Sequence, residues 1–286
     1  MINAGLILEG GATRGVFTAG VLDYLMENDV YLSHVVGVSA GTCNGVDYIS
    51  RQIGRSRDCM IHEDKKDGHA YMGASVLLKK HTLFDMDMVF DEYPNHLYPF
   101  DFKTYENSDM KGEWVVTNCL TGEPEYMDDK ENRENLMTIC RASCSMPIVS
   151  PMVYIGKVPY LDGGVSDSIP LKRMFSYGKD KNVVILTRNP GYRKKPFGRA
   201  EEKLYARALK DYPKMYEAFK NRYQVYNHSV KMAEKLEKEG KIFLIRPLEN
   251  TVGRTETSYE KLMAFYRHGY DLMSEQFEKL VDYLNK

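Results

Sequence analysis

Residues 37 to 41 read Gly-Val-Ser-Ala-Gly and follow the apolar run His-Val-Val at 34 to 36. A serine between two glycines at a strand end has two readings. Ser39 can cap the next helix, its hydroxyl accepting a hydrogen bond from an amide of the first turn. A cap, however, needs no glycines. In a nucleophile elbow, G-x-S-x-G, a tight strand-to-helix turn pushes the serine Oγ outward, and Gly37 and Gly41 let neighbouring backbone approach that turn closely. The chemistry would be attack on an acyl carbonyl.

Such a serine needs a base and positive dipoles for the oxyanion. Gly-Gly-Ala-Thr-Arg-Gly at 10 to 15 follows the strand-like Ala-Gly-Leu-Ile-Leu-Glu at 4 to 9 and opens a helix, an arrangement that holds negative charge on backbone amides. It is not a nucleotide loop: its glycines stand at 10, 11 and 15, which breaks G-x-G-x-x-G, and no lysine follows Gly15. The Gly11 and Ala12 amides fit an oxyanion hole, with Arg14 adding charge. For the base, Asp162 ends a short apolar strand and is followed by Gly163 and Gly164, which let its turn sit against other backbone. A solvated turn aspartate is the plainer reading of that triplet alone.

These residues require elements to hold them. Two similar strand–loop–helix units begin within the first forty residues, one at 4 to 9 and one at 34 to 38. Later come Glu-Trp-Val-Val-Thr-Asn-Cys-Leu (113 to 120), a helix near 132 to 142, short strands at 152 to 155 and 158 to 161, and the buried-type strand Asn-Val-Val-Ile-Leu-Thr (182 to 187). The order predicts an α/β fold with a mainly parallel sheet between helices. In the helix near 16 to 28, Val21, Leu22 and Leu25 face the sheet and Asp23, Glu27 and Asn28 the solvent. Beyond Pro190 two helices, a returning strand at 241 to 247 and a long amphipathic helix to the end are expected. Residues 1–190 read as the catalytic domain and 191–286 as a helical C-terminal region packed on it.

The three motifs, in this order and each at a strand end, resemble the patatin-like phospholipase family, bacterial branch: a glycine-rich oxyanion loop with a basic residue, then G-x-S-x-G, then D-G-G. Arg-Ala-Ser-Cys-Ser-Met-Pro at 141 to 147 is similar to the family's Ala-Ser segment, and the resemblance covers about residues 4 to 190. It implies a three-layer α/β/α domain and a Ser39–Asp162 dyad without histidine. It also implies an oxyanion hole at Gly10, Gly11, Ala12, Arg14 and Gly15, a turn needing Gly37 and Gly41, a base motif with Gly163 and Gly164, and no cofactor. Expected substrates are acyl esters of phospholipids or lysophospholipids, or simple acyl esters. Ala12 departs from the family, which often has a third glycine there; alanine keeps the amide unless the position needs positive φ.

Two other readings compete. A Ser-His-Asp α/β-hydrolase would use Ser39, Asp162 and His228 or His268, but that fold builds several strands before its elbow and only one precedes Ser39 here. An inactive lipid-binding protein on the same fold is the other. The 286 residues carry a net charge of -1, which leaves no basic excess to draw the chain onto nucleic acid. Between Arg193 and Lys241 there are 14 Lys or Arg against 7 Asp or Glu, read first as a solvated helical face and second as a platform for anionic lipid headgroups. The N-terminus has no signal-peptide pattern and no run approaches the roughly 20 apolar residues of a spanning helix, so the protein is expected in the cytoplasm, with transient contact at the membrane surface. Five scattered cysteines argue against a disulfide framework. Cys59, His62, Glu63, Asp64 and His69 read as a solvated loop and not a metal site. The Met, Leu and Phe residues between 71 and 90 suit core packing, or an adaptable wall for an acyl chain.

Overall fold

Near-continuous apolar runs make strands buried on both faces. A computed structural model of the chain describes residues 1–62, 71–73, 76–78 and 82–286. Among these, eight strands form one sheet: β1 (Ile2–Leu8), β2 (Leu32–Val38), β3 (Lys111–Asn118), β4 (Pro124–Met127), β5 (Val153–Ile155), β6 (Val158–Asp162), β7 (Asn182–Ile185) and β8 (Phe243–Ile245). β3, β2, β1, β7 and β8 lie side by side and parallel, whereas β4 and β6 pair antiparallel with β3, and β5 with β6. The expected mainly parallel sheet is therefore present, with an antiparallel margin. The chain leaves β1 toward β2 and β3 on one side and later adds β7 and β8 on the other. The loop after β1 thus sits where strand order reverses, the usual position of a binding crevice in open α/β sheets.

Alternation along β1 builds two cores. Leu6 and Leu8 join Val35 and the helices α1 (Gly15–Glu27) and α2 (Ala40–Ile49) on one face, while Ile7 joins Val36, Val38, Val115 and Val184 on the other. The second face is covered in part by Tyr226 and Val230 from the long helix of the C-terminal region, α4 (Pro213–Lys238); α3 (Arg133–Ser143) and α5 (Tyr259–Asn285) complete the helices used below.

Helix α1 differs from expectation. Asp23, placed on its solvent face by periodicity, is buried, donates nothing and accepts from Tyr266 Oη at 2.7 Å and the Gly54 amide at 2.9 Å; burial pushes its carboxyl up to about 6. The reason is α5, which packs on the face that would otherwise meet water. The two helices touch at glycines: a Cβ on Gly20 would stand 2.1 Å from the Tyr266 carbonyl oxygen, and one on Gly269 would stand 2.1 Å from that of Phe17. Helix propensity favours alanine over glycine by about 1 kcal/mol, but overpacking a well-filled contact costs about 1–3 kcal/mol. With backbone on the receiving side the clash wins. Gly269→Ala is expected to lower stability by about 2 kcal/mol, read as a reduced urea midpoint at unchanged slope; an unaltered midpoint would show that the helices do not approach this closely.

Candidate active site

Ser39 follows the last residue of β2 and adopts φ 56° and ψ -125°, a conformation that L-residues rarely hold. Its side chain makes no capping bond to α2, so the plain capping reading fails. The flanking glycines answer to space. A Cβ on Gly37 would stand 2.7 Å from the Gly41 carbonyl oxygen, and one on Gly41 would stand 2.3 Å from that of Leu8. The turn is held from outside as well. The Ser39 amide donates to Ser143 Oγ at 3.0 Å, and that hydroxyl donates to the Val115 carbonyl at 2.7 Å while lying 2.9 Å from Thr42 Oγ1. Ser143 ends α3 within the Ala-Ser segment; its contact with the elbow is a tertiary fact.

Asp162 meets Ser39 through the register of β3. Val38, the last residue of β2, pairs with Val115, and Asp162, the last residue of β6, pairs with Val116. Because β4 occupies the opposite edge of β3 along residues 114 to 117, β2 and β6 share one edge and end head to head. Both residues line one cavity, and the nearby Ser39 hydroxyl favours the ionised Asp162 carboxyl. Gly164 N–H donates to Asp162 Oδ1 at 2.7 Å, and a Cβ on Gly163 would lie 2.1 Å from the Val115 carbonyl oxygen. The two glycines thus have separate tasks, one an amide and the other an approach. Burial pushes the Asp162 carboxyl above its ordinary value, opposed by the Arg222 charge, the Gly164 amide, the Ser39 hydroxyl and Lys194.

The loop after β1 closes the third side. A Cβ on Gly10 would stand 2.7 Å from Ser39 Cβ, and one on Gly11 would stand 2.7 Å from Thr187 Oγ1. Among the described residues the Gly11 and Ala12 amides meet no acceptor, which leaves them for a ligand. The Arg14 amide donates to the Gly11 carbonyl at 3.2 Å and the Gly15 amide to Ala12 and Thr13, so neither of those is free for an oxyanion. That narrows the expected hole. Gly15 instead permits contact with α2, a Cβ there falling 2.8 Å from Ala40 Cβ. Ala12 has φ 50°, so the position does need the left-handed region that glycine would fill without strain. The Arg14 side chain is buried and lowered to about 10, by burial first and then by repulsion from Arg188 and Arg254.

Two cavities meet at Ser39. One is apolar, with Cys43, Met60, Val89, Phe90, Met137 and Cys144 in its wall. The other contains Asp162 and the loop after β1, together with Arg188, Lys194, Arg222 and Arg254. Met86, Val89 and Phe90 bring part of the Met- and Phe-rich segment to the apolar wall; residues 74, 75 and 79 to 81 lie outside the described residues. Lys194 and Arg222 come from the basic stretch read as a solvated face, and they turn inward. Periodicity missed them because Lys194 sits in a loop and Arg222 is one cation among many on α4. The histidines of the triad reading stand elsewhere. His228 is exposed on α4, and His268 Nε2 accepts from the Leu248 amide at 3.0 Å and packs against Phe17 and Phe265. Among the described residues no three His, Cys, Asp or Glu side chains cluster as metal ligands; of the loop considered for this, Glu63, Asp64 and His69 lie outside the described residues. No described helix is long and apolar enough to cross a membrane.

A mainly parallel sheet between helices, with a strained serine at one strand end, an aspartate at the neighbouring strand end and a glycine-rich loop beside them, is a three-layer α/β/α arrangement. The patatin-like phospholipase family model matches residues 6–109 and 121–175, and the chain belongs to that family. Residues 212–285 match a domain of unknown function (DUF6363). Among curated proteins the chain is 30% identical over 190 residues to the uncharacterized protein YjjU of Escherichia coli K12, covering 64% of this chain and 51% of that one. It is 25% identical over 190 residues to lysophospholipase nte1 of Aspergillus terreus, covering 62% of this chain and 11% of that one. The chain therefore spans about half of the first relative and a small part of the second. A crystal structure of VipD from Legionella pneumophila aligns with 97% of this chain and 67% of its own at 14% identity and a TM-score of 0.47.

Proposed function

We propose that the protein is a serine acyl hydrolase in which Ser39 attacks the ester carbonyl of an acyl lipid and Asp162 serves as its base. The observation that carries this reading is the placement of Ser39, strained at the end of β2, beside the buried Asp162 carboxyl at the end of β6, where the two cavities meet. Asp162 takes the Ser39 proton as Oγ bonds to the carbonyl carbon. The oxygen that becomes negative is received by the Gly11 and Ala12 amides. Collapse of this intermediate breaks the bond to the alcohol, which leaves with the proton held by Asp162, and the acyl group stays on Ser39. Water activated by Asp162 then releases the fatty acid and restores the serine. The acyl chain occupies the apolar cavity, where burial of each methylene contributes about 0.8 kcal/mol.

A fluorophosphonate probe is expected to label the native protein and to leave Ser39→Ala unlabelled, with mass spectrometry placing the adduct on the peptide that contains Ser39. Equal labelling of the two proteins would move the nucleophile elsewhere.

A further inference from the structure

The cavity on the Asp162 side of Ser39 collects cations that ester cleavage does not require. Arg14, Arg188, Lys194, Arg222 and Arg254 line it, from five separate places in the chain, against the two carboxylates Glu9 and Asp162. Both carboxylates are engaged. Glu9 accepts from the Thr187 amide at 2.7 Å, and Asp162 accepts from the Gly164 amide at 2.7 Å. None of the five cations forms an ion pair among the described residues, although partly buried arginines elsewhere do: Arg55 with Asp47, Arg173 with Glu113 and Arg246 with Glu234. Arg14 Nε is buried without any hydrogen-bond partner. Arg188 stacks on Tyr192 at 4.0 Å and Lys194 on Tyr226 at 3.8 Å, contacts that stabilise a cation without neutralising it, so the cavity keeps a positive field that favours an anion.

We propose that this cavity binds the phosphate of a phosphomonoester carried on the alcohol side of the substrate, so that the preferred substrates are acyl esters of phosphorylated polyols. The proposal rests on the reading of Ser39 and Asp162 given above. In that reading the alcohol departs toward Asp162, and Asp162 lies in the cationic cavity while the acyl chain takes the apolar one. The headgroup is narrowed by charge. A dianion meets five cations; a zwitterionic choline ester would bring its ammonium among them with both carboxylates already engaged, and an uncharged glycerol gains no charge pairing. Arg222 and Lys194 also pull Asp162 toward its ionised form. Arg14 and Arg254 are left for the ligand, and Arg188, stacked on Tyr192 at 4.0 Å, keeps its charge beside them. Burial holds Lys194 well below its ordinary range and the neighbouring arginines add to this, a condition that a bound anion relieves. Lys194, Arg188, Arg222 and Arg254 all lie beyond the family match that ends at residue 175, and Arg222 and Arg254 fall within the domain of unknown function. That domain thereby gains a role as the headgroup side of the site.

The test has a binding arm and a kinetic arm. With the full-length Ser39→Ala protein, calorimetry should detect binding of glycerol 3-phosphate, weakened about tenfold or more in the added pair Lys194→Met and Arg254→Gln, the scale of one lost charge-assisted hydrogen bond. Arg222 is left in place because its Nε donates to the Gly164 carbonyl at 2.6 Å and supports the Asp162 turn. With the native protein, kcat/KM for 1-lauroylglycerol 3-phosphate should exceed that for 1-lauroylglycerol and for 1-lauroylglycerophosphocholine by about tenfold or more. Inorganic phosphate should inhibit the first competitively. Equal rates on the three esters would overturn the proposal, and so would inorganic phosphate that binds without competing, which would make the cavity a site for the free ion. Glycerol 3-phosphate binding in a protein that hydrolyses none of the esters would retain the anion site and discard the reading of Ser39. Hydrolysis of all three without such binding would do the reverse.

Discussion

Ser39→Ala is expected to lower ester hydrolysis by about four orders of magnitude or more, Asp162→Asn nearly as much, and the double variant no further, because a nucleophile and its base act as one unit. Hydrolysis of a short-chain p-nitrophenyl ester measures all three. His228→Ala and His268→Ala should retain most activity, since the first histidine is exposed on α4 and the second is held by the Leu248 amide. A loss of about three orders of magnitude in either would restore the triad reading. The pH profile adds an independent readout. Asp162 must be ionised to take the proton, and its carboxyl is raised by burial. Activity should therefore fall as pH drops through a limb above the ordinary aspartate range. The same shift fixes the sign for stability. A carboxyl raised on folding binds its proton more tightly in the folded state, so its contribution declines as pH rises from the unfolded value through the folded one. Asp162→Asn removes that decline, and the variant should be no less stable than the parent at neutral pH. Its inactivity would then report chemistry and not unfolding.

Removing the Ala12 amide is expected to lower kcat by about a hundredfold or more while KM changes little, because an oxyanion donor acts mainly in the transition state. Proline is a poor tool for this loop. At Gly11 the backbone is extended, with φ 175°, and any Cβ presses on Thr187, so Gly11→Pro would displace the loop as well as delete an amide. Incorporation of lactic acid in place of Ala12 exchanges the N–H for an ester oxygen and keeps the methyl group. Ala12→Gly is the companion variant. It keeps the amide, relieves a left-handed alanine that costs about 1 kcal/mol, and should retain kcat with equal or higher stability. Arg14→Ala should cost less than the loss of the amide, since it leaves every donor of the loop in place. An ester-substituted enzyme with normal kcat and raised KM would assign the loop to substrate binding.

Local chemistry determined much of this protein. Strands buried on both faces must be written in apolar residues, so β1, β2, β3 and β7 were visible as runs. A turn as tight as that at Ser39 excludes side chains at Gly37 and Gly41, and a carboxylate turn lying against Val115 excludes one at Gly163. Those demands fall on neighbouring residues and leave a spaced pattern. What joins Ser39 to Asp162 is not local. Val38 and Asp162 take successive positions along one edge of β3, a register set by the packing of strands more than a hundred residues apart. Helix α1 carries the same lesson: its polar residue Asp23 is buried because α5, from the far end of the chain, covers it. The cationic cavity is the extreme case. Its five basic residues come from the loop after β1, the bend after β7, a loop, α4 and the turn before α5. An arginine facing inward has the same one-letter code as an arginine facing water, and no spacing rule spans such distances. Only the tertiary fold, by bringing them around one serine with two engaged carboxylates, decides that they form a site.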